Sequence, residues 1–269
     1  MDINRRVLIE MVGGIAAFTA MSASEKADAA ERALAAGLNN PNDSPILKVT
    51  GTSLPDPAGV RTIRPGVGRL FGTGKKPVAE LAPMPVKPTL VDFFRHRFLT
   101  QAQHCLQSAN SAMQAGGSEE LIIACLLHDV AQELAVVDHG WWGGQLLAPY
   151  VSEKVSWAIR YHQALRFFPD ESVGYKYPPF YVTLFGKDYV PEPYIKEAYE
   201  YAKSHPWYML SRMITVHDTY SFDTNKLIEI DQFVDIIGRN FRQPAEGLGY
   251  DNSPVAHMWR SMIFPDHPL

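Results

Sequence analysis

Six side chains of this sequence have the types and spacing to hold metal ions: His104, the adjacent pair His128-Asp129, His139, His162 and Asp218. The pair follows the apolar run Leu121 to Leu127. Asp is a weak helix former, and a carboxylate buried after such a run needs a partner. A cation supplies one, and neutral imidazole together with carboxylate suits a divalent transition ion. Any one of these histidines alone would read as a hydrogen-bonded core residue. His104, His128 and Asp218 each fall in or at the end of an apolar helical segment, His139 and His162 stand a helix-sized interval apart, and Asp218 comes from a distant helix. That order argues for one site in a helical bundle.

The elements that must position these groups are helices. From Leu90 to Ala115, apolar residues recur at three- and four-residue spacing: Phe94, Phe98, Ala102, Leu106, Ala109 and Met113. Gly116-Gly117 ends that pattern. Ser118, followed by Glu119 and Glu120, is the expected cap of a helix running to about Val130. A further segment opens at Asp138-His139-Gly140 and runs to Tyr150. The next helix, Lys154 to Phe168, carries His162. Pro169 to Pro191 reads as a loop rich in Pro, Gly and Tyr. Glu192 to Ser204 reads as a surface helix, Pro206 to Tyr220 as a core helix with Asp218, and Ile228 to Phe241 as an amphipathic helix. Strand signals are sparse, so the expected class is all-α, with one domain over residues 90–242 and an irregular, aromatic-rich tail over 243–269.

The chain before Leu90 differs in composition. Arg5-Arg6 precede a short apolar segment, Val12 to Met21, and Ala27-Asp28-Ala29 fits an A-x-A cleavage pattern. Residues 1–30 thus resemble a twin-arginine export signal, which implies a periplasmic or secreted protein; the alternative is an ordinary N-terminus on a cytoplasmic one. Residues 31–89 are studded with prolines from Pro41 to Pro88, which forbid helices and central strands and predict an extended arm. Its apolar residues Leu47, Val49, Leu70 and Phe71 favour an arm that wraps the domain.

Composition narrows the function. The formal net charge is −4 over 269 residues, and no basic run with interleaved aromatics appears, which argues against a nucleic-acid groove. No apolar run reaches the length of a membrane span. The two cysteines, Cys105 and Cys125, sit in apolar helical stretches and read as reduced core residues.

With these residues in place, the chain resembles the HD-domain superfamily, whose signature is a metal-ligating His, a His-Asp pair and a distal Asp. His139 and His162 match the subset with a dinuclear site. The resemblance implies that Asp129 bridges two ions, one held with His104, His128 and Asp218, the other with His139 and His162. The stretches HCLQSANSAMQAGGSEELIIACLLHDV and HGWWGGQLLAPYVSEKVSWAIRYHQALRFF are most similar to the mixed-valent diiron oxygenases, which include organophosphonate-cleaving enzymes and, more distantly, myo-inositol oxygenase. This covers Gln101 to Phe168, with Asp218 beyond it.

The resemblance implies two iron ions and an oxygenase that uses dioxygen on a small hydroxylated, anionic substrate. Dinuclear HD phosphohydrolases, with manganese or another divalent metal, share the ligand set and remain an alternative; a non-catalytic HD binding module is a third. There are departures. The pair continues as Val130-Ala131-Gln132, so Gln132 stands where a His or Lys commonly meets substrate. Phe94 and Arg97 stand where the organophosphonate enzymes have Tyr and Glu, and Arg166 stands in place of their Lys. Arg166 lies one helical turn beyond His162, on the same face, which makes it a candidate acceptor for a substrate anion. Gln132 and Arg97 are further substrate-binding candidates, and Arg95 and Lys176 are alternatives.

Overall fold

The computed structural model describes residues 21–38, 47–48, 79–186, 189–219 and 221–265. Arg5-Arg6, the apolar segment through Ala20 and most of the arm lie outside the described residues, and with them the expectation that the arm wraps the domain.

The protein is an all-α bundle. At its centre four helices pack on one another: α3 (Ala102–Gln114), α4 (Glu119–Leu127), α6 (Glu153–Leu165) and α9 (Tyr208–Asp218). α5 (His139–Leu147) lies along α6. Around them stand α1 (Ala23–Ala36), α2 (Leu90–His96), α7 (Pro179–Phe185), α8 (Pro193–Ser204), α10 (Val234–Asn240) and α11 (Ala256–Ile263). The two-residue segments β1 (Leu47–Lys48) and β2 (Ala79–Glu80) pair antiparallel, Leu47 opposite Glu80.

Local chemistry sets the central helix ends. Gly116 adopts φ 74°, the left-handed conformation that lets the chain reverse out of α3. The Ser118 hydroxyl then accepts from Leu121 N, with Glu119 and Glu120 in the first turn beside the helix dipole. Ser152 caps α6 in the same way through Val155 N. The helix expected over Leu90 to Ala115 is split: α2 stops at His96 and α3 begins at Ala102. The break is held by Glu133, whose carboxylate accepts from Thr100 N (2.8 Å) and Gln101 N (3.1 Å) in place of carbonyls one turn back.

Three segments hold more helix than their composition suggests. The Pro- and Tyr-rich loop contains α7, started by Pro at its first turn, where a missing N–H costs nothing. The tail contains α11, whose Trp259 is fully buried against Phe93, ring centroids 4.8 Å apart and edge to face. The N-terminal segment contains α1, opened by a capping box between Ser22 and Glu25. α1 runs through the domain boundary expected near residue 30. It also takes up Ala27-Asp28-Ala29, with Ala27 and Asp28 fully buried. Small apolar residues and a reciprocal cap made this stretch a docked helix rather than the start of an extended arm.

Among the described residues no helix is long and apolar enough to cross a membrane. Cys105 and Cys125 are free thiols in the core, pushed upward in pKa by burial.

Candidate metal centre

Helix ends deliver most of the site. His128 is the residue at which α4 closes, and Asp129 follows with φ −110° and ψ 0°, in the sparsely allowed bridge region that turns the chain into a 3-10 turn at Val130–Glu133. His139 is the first residue of α5, His162 lies in the last turn of α6, and Asp218 is the last residue of α9. His104 sits in the first turn of α3.

Two backbone features bring His139 to His162. Asp138, at φ 55°, is the one non-glycine residue with positive φ among the described residues; Asp tolerates that conformation better than most, and here it swings the chain directly into His139. Beyond it, α5 turns a glycine face to α6. A Cβ at Gly144 would lie 2.8 Å from Cβ of Arg160, and one at Gly140 would lie 3.2 Å from the Arg160 carbonyl oxygen. Only helices this close place the two rings 5.3 Å apart.

The six groups named from the sequence converge. His104 Nε2 lies 3.1 Å from His128 Nε2 and 3.0 Å from Asp218 Oδ1, and His128 Nε2 lies 3.6 Å from the same Asp218 oxygen. Asp129 stands between this group and the remaining histidines. Its Oδ2 is 3.5 Å from His104 Nε2, while its Oδ1 is 3.0 Å from His139 Nε2, 3.5 Å from His162 Nε2 and 3.6 Å from His128 Nε2. Donors about 2.0–2.2 Å from a shared ion sit about 3–3.5 Å from one another, the spacing found here. All six residues are buried, so the Nε2 lone pairs of His104 and His128 face each other across 3.1 Å without solvent between. A shared proton or a metal ion between them would satisfy that arrangement.

The histidine tautomers are set from behind. Nδ1 of His104 faces the carbonyl of Ser221 (3.1 Å), and Nδ1 of His128, His139 and His162 faces the carbonyl three residues earlier: Cys125 (2.8 Å), Val136 (3.0 Å) and Ile159 (2.6 Å). With each Nδ1–H donating to a carbonyl, every Nε2 is left as an acceptor aimed inward, the arrangement metal-binding histidines use. His139 Nε2 and Asp129 Oδ1 are buried and face each other at 3.0 Å with no other partner. A buried pair of this kind is satisfied by a proton on the ring or by a metal ion. The buried His and Asp groups can therefore hold metal ions.

The electrostatics agree. Burial raises the carboxyl pKa of Asp129 and Asp218, but the surrounding histidines outweigh it and hold both well below the usual carboxylate range. Burial lowers His139, yet the Asp129 carboxylate outweighs it and raises the ring to about 9. His128 is likewise raised, against burial, by Asp129 and Asp218. His162 is lowered by burial and by the two neighbouring rings. Protons on some rings do, in part, what a cation would do better.

The three expected substrate contacts are placed differently. Gln132 turns back on the pair: its Nε2 donates to Asp129 Oδ2 (2.7 Å) and its Oε1 accepts from Gln101 Nε2 (2.8 Å), so it orients Asp129 instead of facing substrate. Arg97 spends its donors on the carbonyls of Ile263 (3.2 Å), Ala82 (2.9 Å) and His96 (2.8 Å), tying the tail to α2. Arg166 does reach the site, but its guanidinium is held by the carboxylates of Asp28 and Glu31 from α1. Gln163 Nε2 also donates to Asp28 Oδ1 (2.8 Å), and the Tyr181 hydroxyl donates to Glu31.

Glu31, Asp28, Tyr181 and Gln163 are the site residues the sequence reading missed. Burial lifts Glu31 to about 7 against the pull of Arg166. The signal that would have found α1 is its capping box, Ser22 with Glu25, followed by the acids Asp28 and Glu31 one turn apart. Glu31 and Arg166 share a narrow crevice with Asp218, Tyr175, Tyr181 and Phe222. No family model matches the chain, and no curated protein matches it.

Proposed function

We propose that this protein is a dinuclear metalloenzyme of the HD type, an iron-dependent oxygenase acting on a small hydroxylated substrate. The observation that supports it most is the position of Asp129, whose Oδ2 faces His104 and whose Oδ1 faces His139 and His162, with His128 between the two groups at 3.1 Å from His104 Nε2 and 3.6 Å from Oδ1. A carboxylate so placed suits a bridge between two cations, because its charge offsets their mutual repulsion in a buried site. Iron ions there would supply dioxygen chemistry at a carbon bearing a hydroxyl, whereas a redox-silent pair such as manganese would supply activation of water for phosphate hydrolysis.

The chain's own groups do the rest. The carbonyls of Ser221, Cys125, Val136 and Ile159 keep each ring in its ligating tautomer. Gln132 fixes the rotation of the Asp129 carboxylate. The Tyr181 hydroxyl donates to Glu31 and holds it in the crevice beside Asp218. Because Gln132 is neutral and faces Asp129, the position after the pair brings no cation to a phosphate, which favours the oxygenase over the hydrolase.

Metal analysis of anaerobically purified protein, with dioxygen uptake measured against substrate loss, tests this reading. Two irons per chain and matched uptake are expected. Turnover that continues without dioxygen and releases phosphate would hand the site to the hydrolase reading, and a chain that takes up no metal would end both.

A further inference from the structure

The metal centre is closed. His104, His128 and His139 are 0% exposed, and even Asp218 is only 6% exposed. The crevice beside Asp218 has no room for a water-sized molecule, so a substrate entering there needs something to move.

α1 is one of the elements that close it. Glu31 lines the inner crevice, while Ser24, about two turns earlier, lines an outer cleft of about 490 Å³ together with Trp141, Tyr161 and Gln163. Between them Asp28 bonds Gln163 and Arg166. The buried apolar face of α1 is mostly alanine, Ala27, Ala30 and Ala35 with Leu34, so it contributes little apolar area for its length. Its polar attachment is mixed. Arg32 donates to the Gln132 carbonyl and pairs with Glu133, whereas on the inner face two buried carboxylates meet one guanidinium and Asp28 Oδ2 has no hydrogen-bond partner. A buried charge in excess of its partners opposes docking instead of adding to it.

We propose that α1 docks as an internal stand-in for an oxyanionic substrate: Asp28 and Glu31 hold the Arg166 site that a phosphate, phosphonate or carboxylate group takes when α1 lifts. The proposal rests on the functional reading above for what happens next at the metals, but not for binding at Arg166. A planar guanidinium one turn from His162 suits bidentate recognition of an oxyanion, and the carboxylates already there show that it accepts one. Lifting α1 would join the outer cleft to the inner crevice, and the path would pass Gln163 and end at Asp218.

The test uses the full chain as purified and inorganic phosphate as the probe. Calorimetric titration should show the Asp28→Asn/Glu31→Gln variant binding phosphate at least tenfold more tightly than the wild type, with that gain lost when Arg166→Gln is added. In the wild type, saturating phosphate should open α1 to limited proteolysis, a readout that does not depend on the double variant folding. No gain in the folded double variant, or α1 equally protected while phosphate binds, would show that α1 is a fixed wall and overturn the proposal. Metal content of the same samples judges the functional reading separately: protein without metal would end that reading, while the phosphate result would still decide the role of α1.

Discussion

Two buried regions of this molecule are assembled from distant stretches of chain, and they are finished in different ways. The aromatic seam joins Phe93 and Phe98 to Trp259 from the tail, and Tyr150 to Trp259 and Phe241. It is nearly complete in itself; the indole N–H of Trp259 is the one side-chain polar atom of those rings left without a partner. The metal centre gathers four imidazoles and two carboxylates, and its acceptors point at one another. The seam is closed by the chain alone, whereas the centre leaves buried donors that could hold metal ions.

That contrast can be broken most sharply at Asp129. Asp129→Asn keeps the size and removes the charge, so it should lose at least one metal ion and essentially all activity while circular dichroism stays that of a folded bundle. Full metal loading in that variant would remove the bridging role. Trp259→Ala should do the converse. It should cost about 3–5 kcal/mol in urea unfolding, as large-to-small core changes do, with metal stoichiometry unchanged in the folded fraction.

Gly144→Ala probes the place where scaffold and centre meet. The added methyl would lie 2.8 Å from Cβ of Arg160, which forces α5 and α6 apart. A loss of about 1–3 kcal/mol of stability is expected, with weaker metal retention because His139 moves with α5. Gln132→Leu should spare stability more than it spares the centre, weakening metal binding about 10–100-fold as loss of an outer partner to a ligand does. Unchanged affinity in an equilibrium competition would show that the Asp129 carboxylate needs no orientation from Gln132.

The gentlest perturbation is pH. In metal-free protein His139 is raised from 6.5 to about 9, so its share of folding stability is fully present below about pH 6.5 and is lost as pH climbs through about 9. Metal affinity should run the other way and rise across the same interval, because an ion competes with that proton. Thermal melts and metal competition from pH 6 to 9 should therefore give slopes of opposite sign. Parallel slopes would mean that His139 does not ligate.

Legibility followed the same division. The meeting of these six groups could be read because His and Asp are conspicuous in or beside apolar helical segments, and His128-Asp129 is an improbable way to end a buried helix. The helical class could be read from the spacing of Phe94, Phe98, Ala102 and Leu106, although the break between them could not: Glu133, a residue far along the chain, supplies the caps that allow it. α11 was hidden because an aromatic-rich segment becomes a helix only once Phe93 and Tyr150 are there to receive Trp259. α1 was hidden because its acids look like a solvated face until Arg166 is known to sit opposite them. Arg97, Gln132 and Arg166 were assigned by position after or before a ligand, and position along a helix does not reveal which neighbour captures a long side chain first.

The burial of the ligand set also bears on time. With every donor nitrogen fixed by a carbonyl behind it and covered from solvent, an ion inside would leave at the rate at which the protein opens, not at the rate at which single bonds to it break. Stripping by a strong chelator should then be slow, independent of chelator concentration once that is high, and hastened by whatever frees α1. Loading would follow the same gate in reverse, so the metal the protein carries would be decided by what was at hand when the bundle closed more than by which ion the ligands prefer.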